Sequence, residues 1–236
     1  MVAIFVIFTI VAFILVDALV QKSEFKRQEA ASGPKPAQRS PWNFPDTVKS
    51  LPGGIYSDSG HTWLSLNLDG TANVGIDAFA QYAMGTIDKL LLPRVGQEFR
   101  RGDDLFTLRQ GEREATFKAP IDGVVEMVNE ALSKNLNRVP GDPYREGWLC
   151  SLRPRNLASN LRQMLIAEEA LAWLKTEARR LQDFILSRPV ENTALGIVLQ
   201  DGGEITSGVL ELMDNDTWNK FTREFLHNDH SKMRPA

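Results

Sequence analysis

The chain has 236 residues, room for one ordinary domain with extensions. Hydrophobic residues make up 43% and charged residues 24%, as in globular proteins, and a net charge of −3 excludes nucleic-acid binding driven by electrostatics alone. The one cysteine, Cys150, excludes an internal disulfide and fits a reducing compartment. Val2–Val20 is almost wholly apolar, interrupted by Thr9 and Asp17. At a rise of about 1.5 Å per residue this run covers the hydrocarbon core of a bilayer. No Lys or Arg precedes it and no small-x-small cleavage site follows, so it reads as a membrane anchor over residues 1–21 rather than a cleaved signal. Lys22, Lys26 and Arg27 follow closely, which places the N-terminus outside and the remainder in the cytoplasm. Asp17, about one turn from that end, reads as an interfacial carboxylate.

Residues 22–50 read as a flexible linker, punctuated by Gly33-Pro34-Lys35-Pro36 and Ser40-Pro41. Residues 51–156 then alternate short apolar runs with turn residues. Thr62–Leu68, the turn Asp69-Gly70 and Ala72–Ile76 form a hairpin. Asp77 caps a helical turn that Gly85 stops. Strands follow at Lys89–Pro93, Asp104–Arg109, Ala115–Pro120, Gly123–Val128 and Trp148–Leu152, with a short helix or loop over Glu130–Leu136.

From residue 157 the period changes. Leu157, Leu161, Met164, Leu165, Leu171, Leu174, Ala178, Leu181 and Ile185 recur mostly at steps of three and four, which predicts one long amphipathic helix over 157–189, bounded by Pro154 and Pro189. Its apolar face packs on the β-domain or docks a partner. In 190–236, Leu195–Leu199, Asp201-Gly202-Gly203 and Val209–Met213 predict a small hairpin. A C-terminal helix capped by Asp214 or Asn215 follows, with Trp218, Phe221 and Phe225 on one side.

Motifs across residues 61–154 carry a resemblance. They are His61-Thr62-Trp63, Gly75-Ile76-Asp77, Phe79-Ala80-Gln81, Ala83-Met84-Gly85, Leu92-Pro93-Arg94-Val95-Gly96, Ala119-Pro120-Ile121-Asp122-Gly123, Val128–Leu132 and Asp142–Leu149. In this order and spacing the segment resembles the H protein of the glycine cleavage system, in the lipoyl-domain superfamily. The resemblance implies a barrel-sandwich hybrid of two sheets; together with the anchor, the long helix and the small α+β tail read above, it makes the expected fold mainly β with α. It also implies a hairpin whose tip lysine carries lipoate through an amide and shuttles an aminomethyl group between partner enzymes. Eight residues before Pro120, where the family has that lysine, stands Glu112, in a tip of Gln110, Gly111, Glu112 and Arg113. A carboxylate has no amine to acylate, and the Arg113 guanidinium is a poor acyl acceptor. Lys118 is the alternative acceptor, two residues before Pro120 and away from the tip.

The expectation is a non-lipoylated, membrane-anchored scaffold that binds an unidentified protein, with no cofactor; the alternative is a lipoate carrier. Cys150 reads as a buried, inert thiol, and His227 and His230 as an exposed polar end rather than a metal site. No nucleophile–base set, phosphate loop or CxxC motif supports catalysis, in residues 190–236 or elsewhere.

Overall fold

The computed structural model describes residues 51–134, 142–188 and 207–227. Among the described residues ten strands are formed: β1 Ile55–Ser57, β2 Thr62–Leu66, β3 Ala72–Ile76, β4 Lys89–Leu91, β5 Glu98–Phe99, β6 Asp104–Gln110, β7 Arg113–Lys118, β8 Gly123–Val128, β9 Trp148–Pro154 and β10 Leu165–Ile166. They build a seven-stranded sheet in the order β10-β1-β2-β3-β9-β8-β5 and a three-stranded sheet in the order β4-β6-β7. Every pairing is antiparallel. Alternation along the strands sends Leu64, Val74, Ile76, Leu90, Phe106, Leu108, Phe117 and Leu152 into one apolar core shared by both sheets.

Where β3 meets β9 the register shifts between Val74 and Gly75, and Gly75 lies opposite Trp63. A Cβ on Gly75 would come within 2.7 Å of the Trp63 ring and of the Gly147 carbonyl oxygen. The residue must be glycine so that the fully buried indole can lie across the strand. Gly75→Ala is expected to lower the unfolding free energy by about 1–3 kcal/mol by overpacking. A denaturant midpoint equal to that of the parent would show that the ring has room to move.

Helix α1, Ala78–Met84, is capped by Asp77, whose side chain accepts from the Ala80 amide, and ends at Gly85 with φ 77°. Helix α2 is Glu130–Lys134. The predicted helix over 157–189 is broken. Helix α3, Leu157–Leu161, is followed by a turn and by β10, and only then by helix α4, Ala167–Leu186. The break is a pairing: Tyr56 lies opposite Ile166 and Ser57 opposite Leu165. Ala167 then re-enters the helix at φ 51°. The sheet therefore takes a strand from beyond residue 156. The apolar stripe of α4, with Ala170, Leu174, Ala178, Leu181 and Ile185 buried, packs at home on the β-domain core.

The tail also departs from expectation. Val209–Leu212 is a 3₁₀ turn, not the second strand of a hairpin. Gly208 takes the left-handed conformation at φ 76°, its carbonyl accepts from the Glu211 amide, and Val209 and Leu210 are buried. Residues 195–206, with the rest of that predicted hairpin, lie outside the described residues. Helix α5, Asn215–Phe221, is capped by Asp214 and runs into a π turn, Thr222–Leu226. The expected anchor Val2–Val20, the linker 22–50 and His230 also lie outside the described residues. Among the described residues no helix is long and apolar enough to cross a membrane.

Candidate functional site

The hairpin of β6 and β7 projects from the three-stranded sheet. Gln110 pairs with Arg113, leaving Gly111 and Glu112 as a two-residue tip. Gly111 takes φ 58° while Glu112 does not take a positive φ, the pattern of a turn with glycine in its first central position. Glu112 is exposed, and among the described residues it has no hydrogen bond or ion pair. The two residues before it are held: Gln110 Nε2 donates to the carbonyls of Met84 at 3.0 Å and Thr86 at 2.5 Å, and the Gly111 amide donates to Asp88 Oδ2 at 2.5 Å. The residue after it is held as well. Arg113 donates from Nε to Asn215 Oδ1 at 2.7 Å, from Nη1 to the Leu210 carbonyl at 2.9 Å and from Nη2 to the Met213 carbonyl at 2.5 Å. Its guanidinium also sits over the Trp218 ring, 5.6 Å from the centroid.

Lys118 is at the other end of β7. It pairs in register with Asp104, and its ammonium is bonded to that carboxylate. The structure therefore brings Gln110, Gly111, Glu112 and Arg113 together at the tip and leaves Lys118 at the hairpin base. The tip can present a carboxylate to solvent; it holds no amine.

A second polar cluster was not legible as one in the sequence. His61 is fully buried at φ 59°, with Nδ1 2.7 Å from Asp77 Oδ2 and Nε2 3.7 Å from Glu177 Oε2. The ring is stacked between Phe79 and Trp173. Burial alone would push the imidazole down. The Asp77 carboxylate, through its charge and hydrogen bond, and then Glu177 reverse this and raise it to about 9. Glu177 is itself mostly buried, which would raise it, but His61 and Arg180 hold it below the usual carboxylate range. The His61 ring thus lies between two carboxylates that favour its protonated form, and it links the start of β2 to α4. Its partners lie 16 and 116 residues away in sequence; reading Asp77 as a helix cap found one of its two roles only. His61 and Asp77 are fully buried and Glu177 is 6% exposed.

Cys150 is buried in β9, and burial pushes its thiol up to about 12. His227 is exposed with Nε2 3.1 Å from the Thr116 carbonyl oxygen. Among the described residues no group of His, Cys, Asp and Glu is arranged to hold a metal.

The family described as glycine cleavage H-protein matches residues 55–177. The chain belongs to the glycine cleavage H-protein family. A probable glycine cleavage system H protein of Pyrococcus horikoshii is 35% identical over 123 residues, covering 52% of this chain and 91% of the relative. The glycine cleavage system H protein of Psychrobacter sp. (strain PRwf-1) is 35% identical over 127 residues, 54% of this chain and all of the relative. A crystal structure of a glycine cleavage system H protein from Mycobacterium marinum aligns with a TM-score of 0.46 and 26% identity, over 52% of this chain and 98% of that one. In this H-protein family member the matched segment ends within α4. The three-stranded sheet and the tip belong to the matched part, and the tail that binds Arg113 lies beyond it.

Proposed function

We propose that this chain is a non-carrying member of the H-protein family, a protein-binding module anchored to a membrane through Val2–Val20 with its β-domain in the cytoplasm. The observation that carries the reading is the tip itself. Lipoate is attached through an amide, an amide needs a primary amine, and the exposed tip residue is Glu112. The scaffold that would present an arm is kept while the chemistry of the arm is absent at its apex. The module is not an enzyme: neither the tip nor the buried His61 cluster combines an accessible nucleophile with a base. Its binding partner is a protein, and it works without a cofactor.

The names of the relatives favour a second reading, that of a lipoate carrier of the glycine cleavage system. In that case another lysine is acylated, and Lys118 would have to leave Asp104 to be available. Intact mass and peptide mapping of protein purified from its native membrane separate the two. The expected result is an unmodified chain. A lipoyl amide on any lysine would end the first reading and establish the second. The topology is tested by a reporter fused after Ala236, which is expected to report the cytoplasmic side.

A further inference from the structure

The hairpin is fastened to a segment that lies beyond the family match, which ends at residue 177. The β7 strand is an edge of the three-stranded sheet, and the tail meets it through Trp218, His227 and the π turn. The Trp218 indole N–H donates to the Glu114 carbonyl at 2.9 Å, and His227 reaches the Thr116 carbonyl. On the α1 side the Gly208 amide donates to the Tyr82 carbonyl at 2.8 Å, and the Glu211 carboxylate accepts from the Thr86 amide. Thr86 in turn holds Gln110. The tail thus grips the tip from the β7 side through Arg113 and braces the α1 side that holds the residue before it. Trp218, Phe221 and Phe225 are fully buried, so this is a fixed part of the fold and not a loose cover.

An enzyme that acylates a tip lysine must bring that amine to about 3–3.5 Å from the activated carboxyl carbon. The tip must then enter the enzyme's site, with its flanking residues taken along. Here one flank is covered, and the adjacent residue spends all three of its guanidinium nitrogens on the tail. We infer that Arg113 and residues 207–227 form a lock that denies the hairpin tip to acylating enzymes, so that loss of the lysine is only half of what makes this chain a non-carrier. The inference rests on the reading of the chain as non-lipoylated. Arg113 is the positioning residue of the lock, acting through the tail it holds.

The test restores the amine and then the freedom of the tip. Full-length E112K and E112K/R113A are incubated with a lipoate–protein ligase, lipoic acid and ATP. In the ligase reaction the lipoate carboxylate oxygen attacks the α-phosphorus of ATP and pyrophosphate leaves, giving lipoyl-AMP, whose carboxyl carbon is then attacked by the lysine Nζ after the ammonium has lost a proton to solvent. The amide C–N bond forms and AMP leaves. Acylation is read as the mass change of the peptide containing residue 112. The expected result is slow acylation of E112K and at least about a tenfold faster rate for E112K/R113A, a factor that the loss of even one of the three Arg113 charge-assisted hydrogen bonds would set. Equal rates in the two variants, fast or slow, would overturn the lock.

Amide hydrogen exchange of R113A supplies a readout that general destabilisation would not give. Residues 111–114 are expected to exchange faster while residues 72–76 of β3 keep the parent rates; uniform acceleration would count against the lock. Where E112K/R113A loses its cooperative unfolding transition, E112K/W218F takes its place, since it keeps an aromatic face for Arg113 while removing the indole N–H that donates to Glu114 and part of the packed ring. Lipoate on the native chain would refute the non-carrier reading independently of this pair.

Discussion

His61→Leu is expected to lower the unfolding free energy by about 3–5 kcal/mol near neutral pH, because it strips one partner from a buried charge cluster and leaves carboxylates uncompensated. Asp77 Oδ1 would keep its bond from the Ala80 amide, but Oδ2 would lose the imidazole. Glu177 would retain Arg180, 2.7 Å away, and lose His61. A leucine at φ 59° adds about 1 kcal/mol of backbone strain. His61→Asn separates the two effects: asparagine accepts the left-handed backbone and keeps a donor for Asp77, so it should cost less than leucine.

The pH dependence gives a second handle on the same cluster. His61 rises from 6.5 to about 9 on folding, so its contribution is fully present below about pH 6.5 and is lost as pH rises through about 9. A shift of this size corresponds to on the order of 3 kcal/mol. Glu177 works in the opposite sense: it is held below 4.5, so its contribution is present above that value and lost in acid. The groups facing the imidazole are Asp77 at the start of α1, Glu177 and, behind it, Arg180 on α4, and the Tyr144 hydroxyl oxygen accepts from the Ala78 amide beside Asp77. Urea unfolding from pH 5 to 10 should therefore show the stability gap between the parent and His61→Leu narrowing above neutrality, while the loss above about pH 9 that the buried Cys150 thiol brings is common to both and cancels in the gap. A gap between them that does not narrow by pH 10 would mean that the imidazole is neutral when folded.

Much of the β-domain was legible because its signals are local. Glycine turns and alternating apolar residues located β2, β3, β6, β7 and β8 to within two residues. The cap at Asp77 and the stop at Gly85 were legible for the same reason. The two-residue strand β10 was hidden because Leu165 and Ile166 continue a helical apolar stripe, and what draws them out is β1, more than a hundred residues earlier. Nor does the sequence announce the left-handed backbone at Ala167 that restarts the helix. In the tail, Val209–Met213 has the composition of a strand, yet Gly208 and the burial of Val209 and Leu210 coil it. At the site, the position of Glu112 at the tip followed from counting back from Pro120. The fastening of Arg113 did not, since each of its three acceptors lies about a hundred residues away.

Trp218→Ala tests whether the tail is part of the fold. The indole is 2% exposed, donates to the Glu114 carbonyl and carries the Arg113 guanidinium on its face. Truncation to alanine removes all three and is expected to cost about 3–5 kcal/mol, with a fall in Tm on the order of 10 °C. The neighbouring Phe221 and Phe225 stack at 4.9 Å, and Phe225 continues to Phe79 and Phe184, so the loss should be felt in both α1 and α4. A double-mutant cycle of Arg113→Ala with Trp218→Ala should return a coupling of about 1 kcal/mol, since each residue holds the other in place. Thermal unfolding of the four proteins reads both quantities. If Trp218→Ala costs less than about 1 kcal/mol, the tail rests on the sheet without stabilising it, because removing a packed, hydrogen-bonded indole from a core cannot be that cheap.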